Sequence, residues 1–221
     1  MRITLPSGTE AEISERSADD ATPSMGLVIA PDIFGLRPLF DDMVARLASE
    51  WSMTVVAVDP FPGLDLGEAV EPRFAAVPTL DDDIVLRDLV EAADATGCDR
   101  VGLLGFCMGG MYCLKAARSD RFAKIAGFYG MIRLPDAWKG PGQGEPLDHI
   151  AAGHPEHVLA IIGELDSYTP PDDVAALEAA GVDVVRYPDA EHGFAHAPER
   201  PAHRPADASD AFQRTQTWLT T

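Results

Sequence analysis

The chain has 221 residues, a length that suits one domain, 1–221, whose core needs neither disulfides nor metal. Its 17 basic and 36 acidic residues leave a net charge of −19. Such a surface repels phosphate backbones and anionic lipid, so neither nucleic acid nor membrane is expected as a partner. Hydrophobic residues at 46% and charged residues at 24% are ordinary for a globular protein. No apolar run reaches the roughly eighteen residues of a membrane span, and the first residues lack a signal-peptide core.

In chain order, residues 1–14 read as a hairpin turning at PSG. MGLVIA (25–30) is a continuous apolar run that fits a strand buried on both faces. In residues 37–51, Leu39, Phe40, Met43, Val44, Leu47 and Trp51 recur at helical spacing. MTVVAVDP (53–60) is the next buried strand, and 61–79, rich in Pro and Gly, is a loop with room for one short helix. A helix follows over 79–97, with Asp81, Asp82 and Asp83 in its first turn, where acids suit the helix dipole; they are taken as a capping feature and not as a metal site. A strand (99–105), a helix (108–119) and a strand (122–130) come next, then a loop over 131–156. Strand 156–166, helix 170–181, strand 182–188 and a last helix from Pro205 to Thr221 complete the chain. Strands alternating with helices give an α/β fold, a mostly parallel central sheet with helices on both faces.

The chemistry concentrates in VGLLGFCMGGMYC, where a buried strand ends and a helix begins at Cys107. A nucleophile on such a strained turn needs flanking glycines, here Gly105 and Gly109, because side chains there would meet the neighbouring strand and helix. The turn lifts the thiol over the sheet at the positive end of the next helix, which favours thiolate, and sets the Met108 N–H to donate to an oxyanion. A thiol nucleophile needs a base and the base an orienting acid, in chain order nucleophile, acid, histidine. GELD places Asp166, and AEHGFAH places His192, each just past a strand, at the carboxyl ends where open α/β sheets bind ligands. Taken singly, each has a plainer role: a buried cysteine, a turn aspartate, a solvated histidine.

The other two cysteines, Cys98 and Cys113, read as small buried hydrophobes, and an odd count without framework spacing implies reduced thiols in a cytoplasmic protein. His149, His154 and His157 fall in a loop and read as solvated. His192 and His196 are spaced for a shared metal only on a helix, and HGFAHAP has little helical signal; no metal or cofactor is expected.

With these motifs assembled, the chain resembles the dienelactone hydrolase family of α/β-hydrolases nearly end to end. GFCMGG is similar to that family's cysteine-bearing elbow, GELD to its acid segment, EHGFA to its histidine segment, and APDIFGL, DPF and GFYG to its xxEIFG, PDLY and GYYG segments. The resemblance implies an α/β-hydrolase fold and hydrolysis of a small-molecule ester or lactone through a cysteine acyl-enzyme. It implies an oxyanion held between the N–H groups of Ile33 and Met108. It also implies that Asp32, standing where the family has Glu, contacts the resting thiol. Family members hold a substrate carboxylate with two arginines; here His196 occupies one place, and Arg73 is the candidate in the loop that carries the other. Phe34, Phe106, Tyr129 and Phe194 are the expected apolar lining. The alternatives are a thioesterase or general carboxylesterase, a redox-sensing thiol, or a non-catalytic small-molecule binder on a hydrolase fold. The protein is expected as a monomer or homodimer.

Overall fold

The computed structural model describes residues 1–16 and 25–221. Eight strands form one sheet in the order β1-β2-β4-β3-β5-β6-β7-β8. β1 (Arg2–Thr4) and β2 (Glu10–Ser14) pair antiparallel, and β2 pairs antiparallel with β4 (Thr54–Val58). From β4 onward all pairings are parallel, through β3 (Met25–Ala30), β5 (Arg100–Phe106), β6 (Lys124–Phe128), β7 (Val158–Gly163) and β8 (Asp183–Tyr187). The expected parallel sheet with helices on both faces is what forms.

The continuous apolar runs follow from that burial. Alternate residues of β3 serve opposite cores: Leu27 and Ile29 pack under α1 (Pro38–Trp51) and α7 (Pro205–Thr220), while Val28 and Ala30 face the other layer. That layer holds α3 (Asp82–Ala95), α4 (Met108–Lys115) and α6 (Pro171–Ala179). Two short helices stand in segments expected as loops, α2 (Glu71–Ala76), for which room was allowed, and α5 (Pro146–Ala151), which was not expected. Each opens on a proline in its first turn but is too short for a readable apolar period. Cys98 and Cys113 are buried, as expected.

The register aligns the strand ends. Ala30 pairs with Gly105, Phe106 with Phe128, Phe128 with Ile161, and Gly163 with Tyr187. The residues that follow β3, β5, β6, β7 and β8 therefore emerge along one carboxyl edge.

The three aspartates at the start of α3 divide their work. Asp81 caps the helix, accepting from the Asp83 N–H at 2.9 Å. Asp82 does not act as a cap: it is buried and takes both of its oxygens to Lys115 Nζ, at 2.7 and 3.0 Å. The Lys115 side chain is wholly buried and also reaches Gln143 Oε1 at 3.0 Å, while Gly144 N–H donates to Asp82 at 2.7 Å. His149 Nε2 lies 3.4 Å from the same carboxylate, its side chain 10% exposed, so it is not the solvated loop histidine expected from the sequence. Sequence periodicity cannot show this contact, because it joins α3, α4 and the 131–156 segment.

A buried ion pair stabilises little in itself, but losing one partner strands the other charge. Asp82→Ala is expected to lower stability by about 3–5 kcal/mol in urea unfolding, and Asp82→Leu combined with Lys115→Met to recover most of it. A loss below about 1 kcal/mol in Asp82→Ala would show that the buried Asp82–Lys115 pair contributes no more than a surface pair.

Candidate active site

Cys107 stands between β5 and α4 with φ 56° and ψ −116°, a region that side chains bearing a Cβ rarely adopt. The neighbours enforce it. A Cβ on Gly105 would lie 2.3 Å from the carbonyl oxygen of Gly109, and one on Gly109 would lie 2.0 Å from that of Ala30. Cys107 N–H donates to Phe128 O at 3.0 Å, and Met111 N–H to Cys107 O at 3.0 Å, which ties the turn to β6 on one side and to α4 on the other. The N–H groups of Ile33 and Met108 have no acceptor among the described backbone hydrogen bonds, leaving both available to an incoming oxygen.

Asp166 follows β7 and is buried. Its Oδ1 accepts from the Tyr168 N–H at 2.8 Å, an Asx turn that fixes the side chain, and its Oδ2 lies 2.8 Å from His192 Nδ1. The His192 pKa is pushed up to about 10. Burial works against the charged ring, and the neighbouring Asp166 and Cys107 more than offset it.

Cys107 and His192 open onto a cavity of about 330 Å³, lined also by Asp32, Ile33, Phe34, Trp138, Tyr168 and Arg200. Of the residues expected to line the substrate site, only Phe34 does so. Phe106, Tyr129 and Phe194 are fully buried beneath the site and are core residues. Arg73 is not in the lining; its Nη2 donates to Gly67 O at 2.6 Å, and its guanidinium stands 6.0 Å from the Phe34 ring centroid.

His196 does not take the place of a substrate-binding arginine: its side chain is wholly buried, with Nε2 on Asp32 at 2.8 Å and Nδ1 on the Tyr129 hydroxyl. Asp32 in turn makes no described hydrogen bond to the thiol. Its oxygens meet Arg37 Nη1 at 2.6 Å and Nη2 at 2.8 Å, the Phe34 N–H at 2.9 Å, and His196. Arg37 at the start of α1 is the reason: its fork matches the shorter acid.

Arg200 escaped the sequence reading because APERPAH carries no element signal. It folds over Gly193, whose φ is 80° and where a Cβ would lie 2.8 Å from Arg200 Nη1. Its side chain makes no ion pair among the described residues. Trp138 and Tyr168, on turns after β6 and β7, were missed for the same reason. No group of three or more His, Cys, Asp or Glu side chains is placed to hold a metal, and no helix is long and apolar enough to cross a membrane, among the described residues. A second cavity, about 220 Å³ and mostly apolar, lies beyond Met108 against α3, and neither Cys107 nor His192 lines it.

Sheet order and carboxyl-edge site together define an α/β-hydrolase. The model of the dienelactone hydrolase family matches residues 15–221, and the chain belongs to that family. It is 30% identical over 221 residues to a carboxymethylenebutenolidase of Rhodococcus opacus, covering 94% of this chain and 85% of that one. It is 28% identical over 209 residues, 87% and 82% of the two chains, to a Bradyrhizobium protein assigned as a 2-oxo-3-(5-oxofuran-2-ylidene)propanoate lactonase. A Klebsiella pneumoniae structure assigned to the dienelactone hydrolases superposes with a TM-score of 0.86 at 23% identity, over 100% of this chain and 98% of that one. The protein is a carboxylic-ester hydrolase of this family.

The raised pKa gives a testable sign. A folded-state value of about 10, against about 6.5 for a free imidazole, means that the charged ring adds stability fully below pH ~6.5, and that this contribution is lost as pH rises through about 10. NMR titration of His192 is expected to show the imidazolium persisting through neutrality, with the midpoint falling in Cys107→Ala. A midpoint near 6.5 in the wild type would contradict the assignment.

Proposed function

We propose that the protein hydrolyses a small ester or lactone carrying a carboxylate, with Cys107 as nucleophile, His192 as general acid and base, and Asp166 as the group that orients His192. The observation that carries this reading is Cys107 at φ 56° on the head of α4, facing the same cavity as a His192 held at 2.8 Å by a buried Asp166.

The Cys107 thiolate attacks the carbonyl carbon. A C–S bond forms, and the carbonyl π pair moves to oxygen, where the N–H groups of Ile33 and Met108 receive it. Collapse breaks the C–O bond, and the His192 imidazolium gives its proton to the departing alkoxide, which in a lactone stays attached to the acyl chain. Water then attacks the thioester as neutral His192 takes its proton, and the thiolate leaves with the imidazolium restored. Asp166 stays ionised throughout and fixes the tautomer. Activated esters and lactones suit this nucleophile; an amine leaves far less readily than the thiolate, so amides do not.

The carboxylate follows from Arg200, which lines the cavity and makes no ion pair among the described residues, while Asp32 in the same lining is taken up by Arg37 and His196. The two curated relatives' names support it, since a carboxymethylenebutenolide and a furanylidene propanoate are both lactones bearing a carboxylate.

Cys107→Ala is expected to abolish turnover of p-nitrophenyl acetate, by several orders of magnitude, with the fold retained. Retained activity in that variant would refute the nucleophile. Cys107→Ser should keep only weak activity, because serine needs a stronger base; wild-type rates there would mean that the site does not rely on a thiolate. Arg200→Ala should raise KM for a carboxylate-bearing lactone by about ten-fold or more while leaving a neutral ester unaffected. Equal effects on both substrates would remove Arg200 from carboxylate recognition.

A further inference from the structure

A carboxylate accepts about four hydrogen bonds, and Asp32 has four donors: two from Arg37, one from the Phe34 N–H, and one from His196. None is left for a thiol. Its carboxyl is held well below the usual aspartate range: burial opposes ionisation, but His196 and Arg37 more than offset it. The ionised acid puts the His196 proton on Nε2. Burial, outweighing the pull of Asp32, keeps that ring neutral, so Nδ1 accepts and the Tyr129 hydroxyl donates.

Tyr129 follows β6 with φ 40°, a left-handed conformation for a large side chain. It is held at both ends, by its N–H on Ile161 O at 2.7 Å and by its hydroxyl on His196. Its ring stands edge-on to His192, centroids 5.1 Å apart, and the Tyr168 ring stands 4.9 Å from His192. The titratable or charged groups around His192 are Asp166, Cys107, Tyr129, Tyr168 and, in the cavity lining, Asp32 and Arg200.

We propose that Arg37, Asp32, His196 and Tyr129 form a positioning relay that holds the His192 ring in line with Cys107, in place of an arrangement in which Asp32 meets the thiol. The relay ties the ends of β3 and β6 to the start of α1 and the segment after β8. Arg37 is its solvent end, with a side chain 28% exposed. No described hydrogen bond joins any of the four to the sulfur, although Asp32 borders the cavity; each acts through the next, and the last through the edge-on contact between the Tyr129 and His192 rings.

The inference rests on Cys107 and His192 being nucleophile and base, and the experiment separates the two claims. Alkylation of Cys107 by iodoacetamide is followed against pH, with the labelled peptide identified by mass, in wild type, Tyr129→Phe, Asp32→Asn, their double variant and His192→Asn. Tyr129→Phe removes one oxygen and keeps the ring. It is expected to move the alkylation midpoint upward and to cut kcat for p-nitrophenyl acetate about ten- to a hundred-fold, with KM changed less than about two-fold. Asp32→Asn should do the same, and the double variant should be no worse than the worse single one, because the two break one chain of contacts. Should Asp32→Asn not fold, Arg37→Gln stands in for it.

Faster alkylation in Asp32→Asn with Tyr129→Phe unchanged would overturn the relay and put Asp32 on the sulfur. Additive losses would overturn it as well. An alkylation profile unmoved by His192→Asn would instead remove the catalytic reading beneath it.

Discussion

At the head of α4 the backbone of one element rests on the backbone of another, with no side chain between. Gly105 and Gly109 permit this, as Gly110 does against Phe128, since a Cβ at any of them would overlap a carbonyl oxygen. The helix has to begin within one residue of the strand end, and that residue is Cys107. Holding a residue with a Cβ in such a conformation costs of order 1–3 kcal/mol. The burial of Met108, Met111 and Leu114 in the layer beneath offsets it. What the strain produces is a thiol raised over the sheet, near the Ile33 and Met108 N–H groups that have no acceptor among the described backbone hydrogen bonds, along the edge where β7 and β8 deliver Asp166 and His192.

A second constraint is electrostatic and local. The chain carries a net charge of −19, yet the cavity holds a histidine that favours its charged form and an arginine that makes no ion pair among the described residues. Buried carboxylates make this possible. Asp166 stands 2.8 Å from His192 Nδ1, and the Asp32 oxygens are met by Arg37, His196 and the Phe34 N–H. The long-range field opposes an anionic substrate, while a guanidinium in a partly enclosed cavity acts at contact distance, where screening by solvent is weakest.

Much of this was legible in the sequence wherever local chemistry decides. The alternation of runs and helical periods gave the sheet, and the glycines around Cys107 marked the turn, because steric exclusion between adjacent elements is written in residue size. Asp166 and His192 were readable as loop residues just past strands. What was not readable depends on contacts between segments distant in sequence. Asp32 looked like a partner for the thiol until Arg37, five positions on, was seen to turn back onto it. His196 looked like a substrate ligand, although its nitrogens are spent on Asp32 and Tyr129. Phe106, Tyr129 and Phe194 were expected to line the cavity but lie one layer too deep, a distinction that residue type alone does not carry. Arg200 and Trp138 sit in segments without period, and only the folded chain brings them to the cavity.

The central claim is that the acyl group passes through the Cys107 sulfur. The direct measurement is mass spectrometry of enzyme quenched in acid during steady turnover of p-nitrophenyl acetate, followed by peptide mapping. An acetyl group on the Cys107 peptide, at a level that rises in the pre-steady-state burst and is absent from Cys107→Ala, is the expected result. Sustained turnover with no acetyl on Cys107, or with the acetyl group on another residue, would contradict the account.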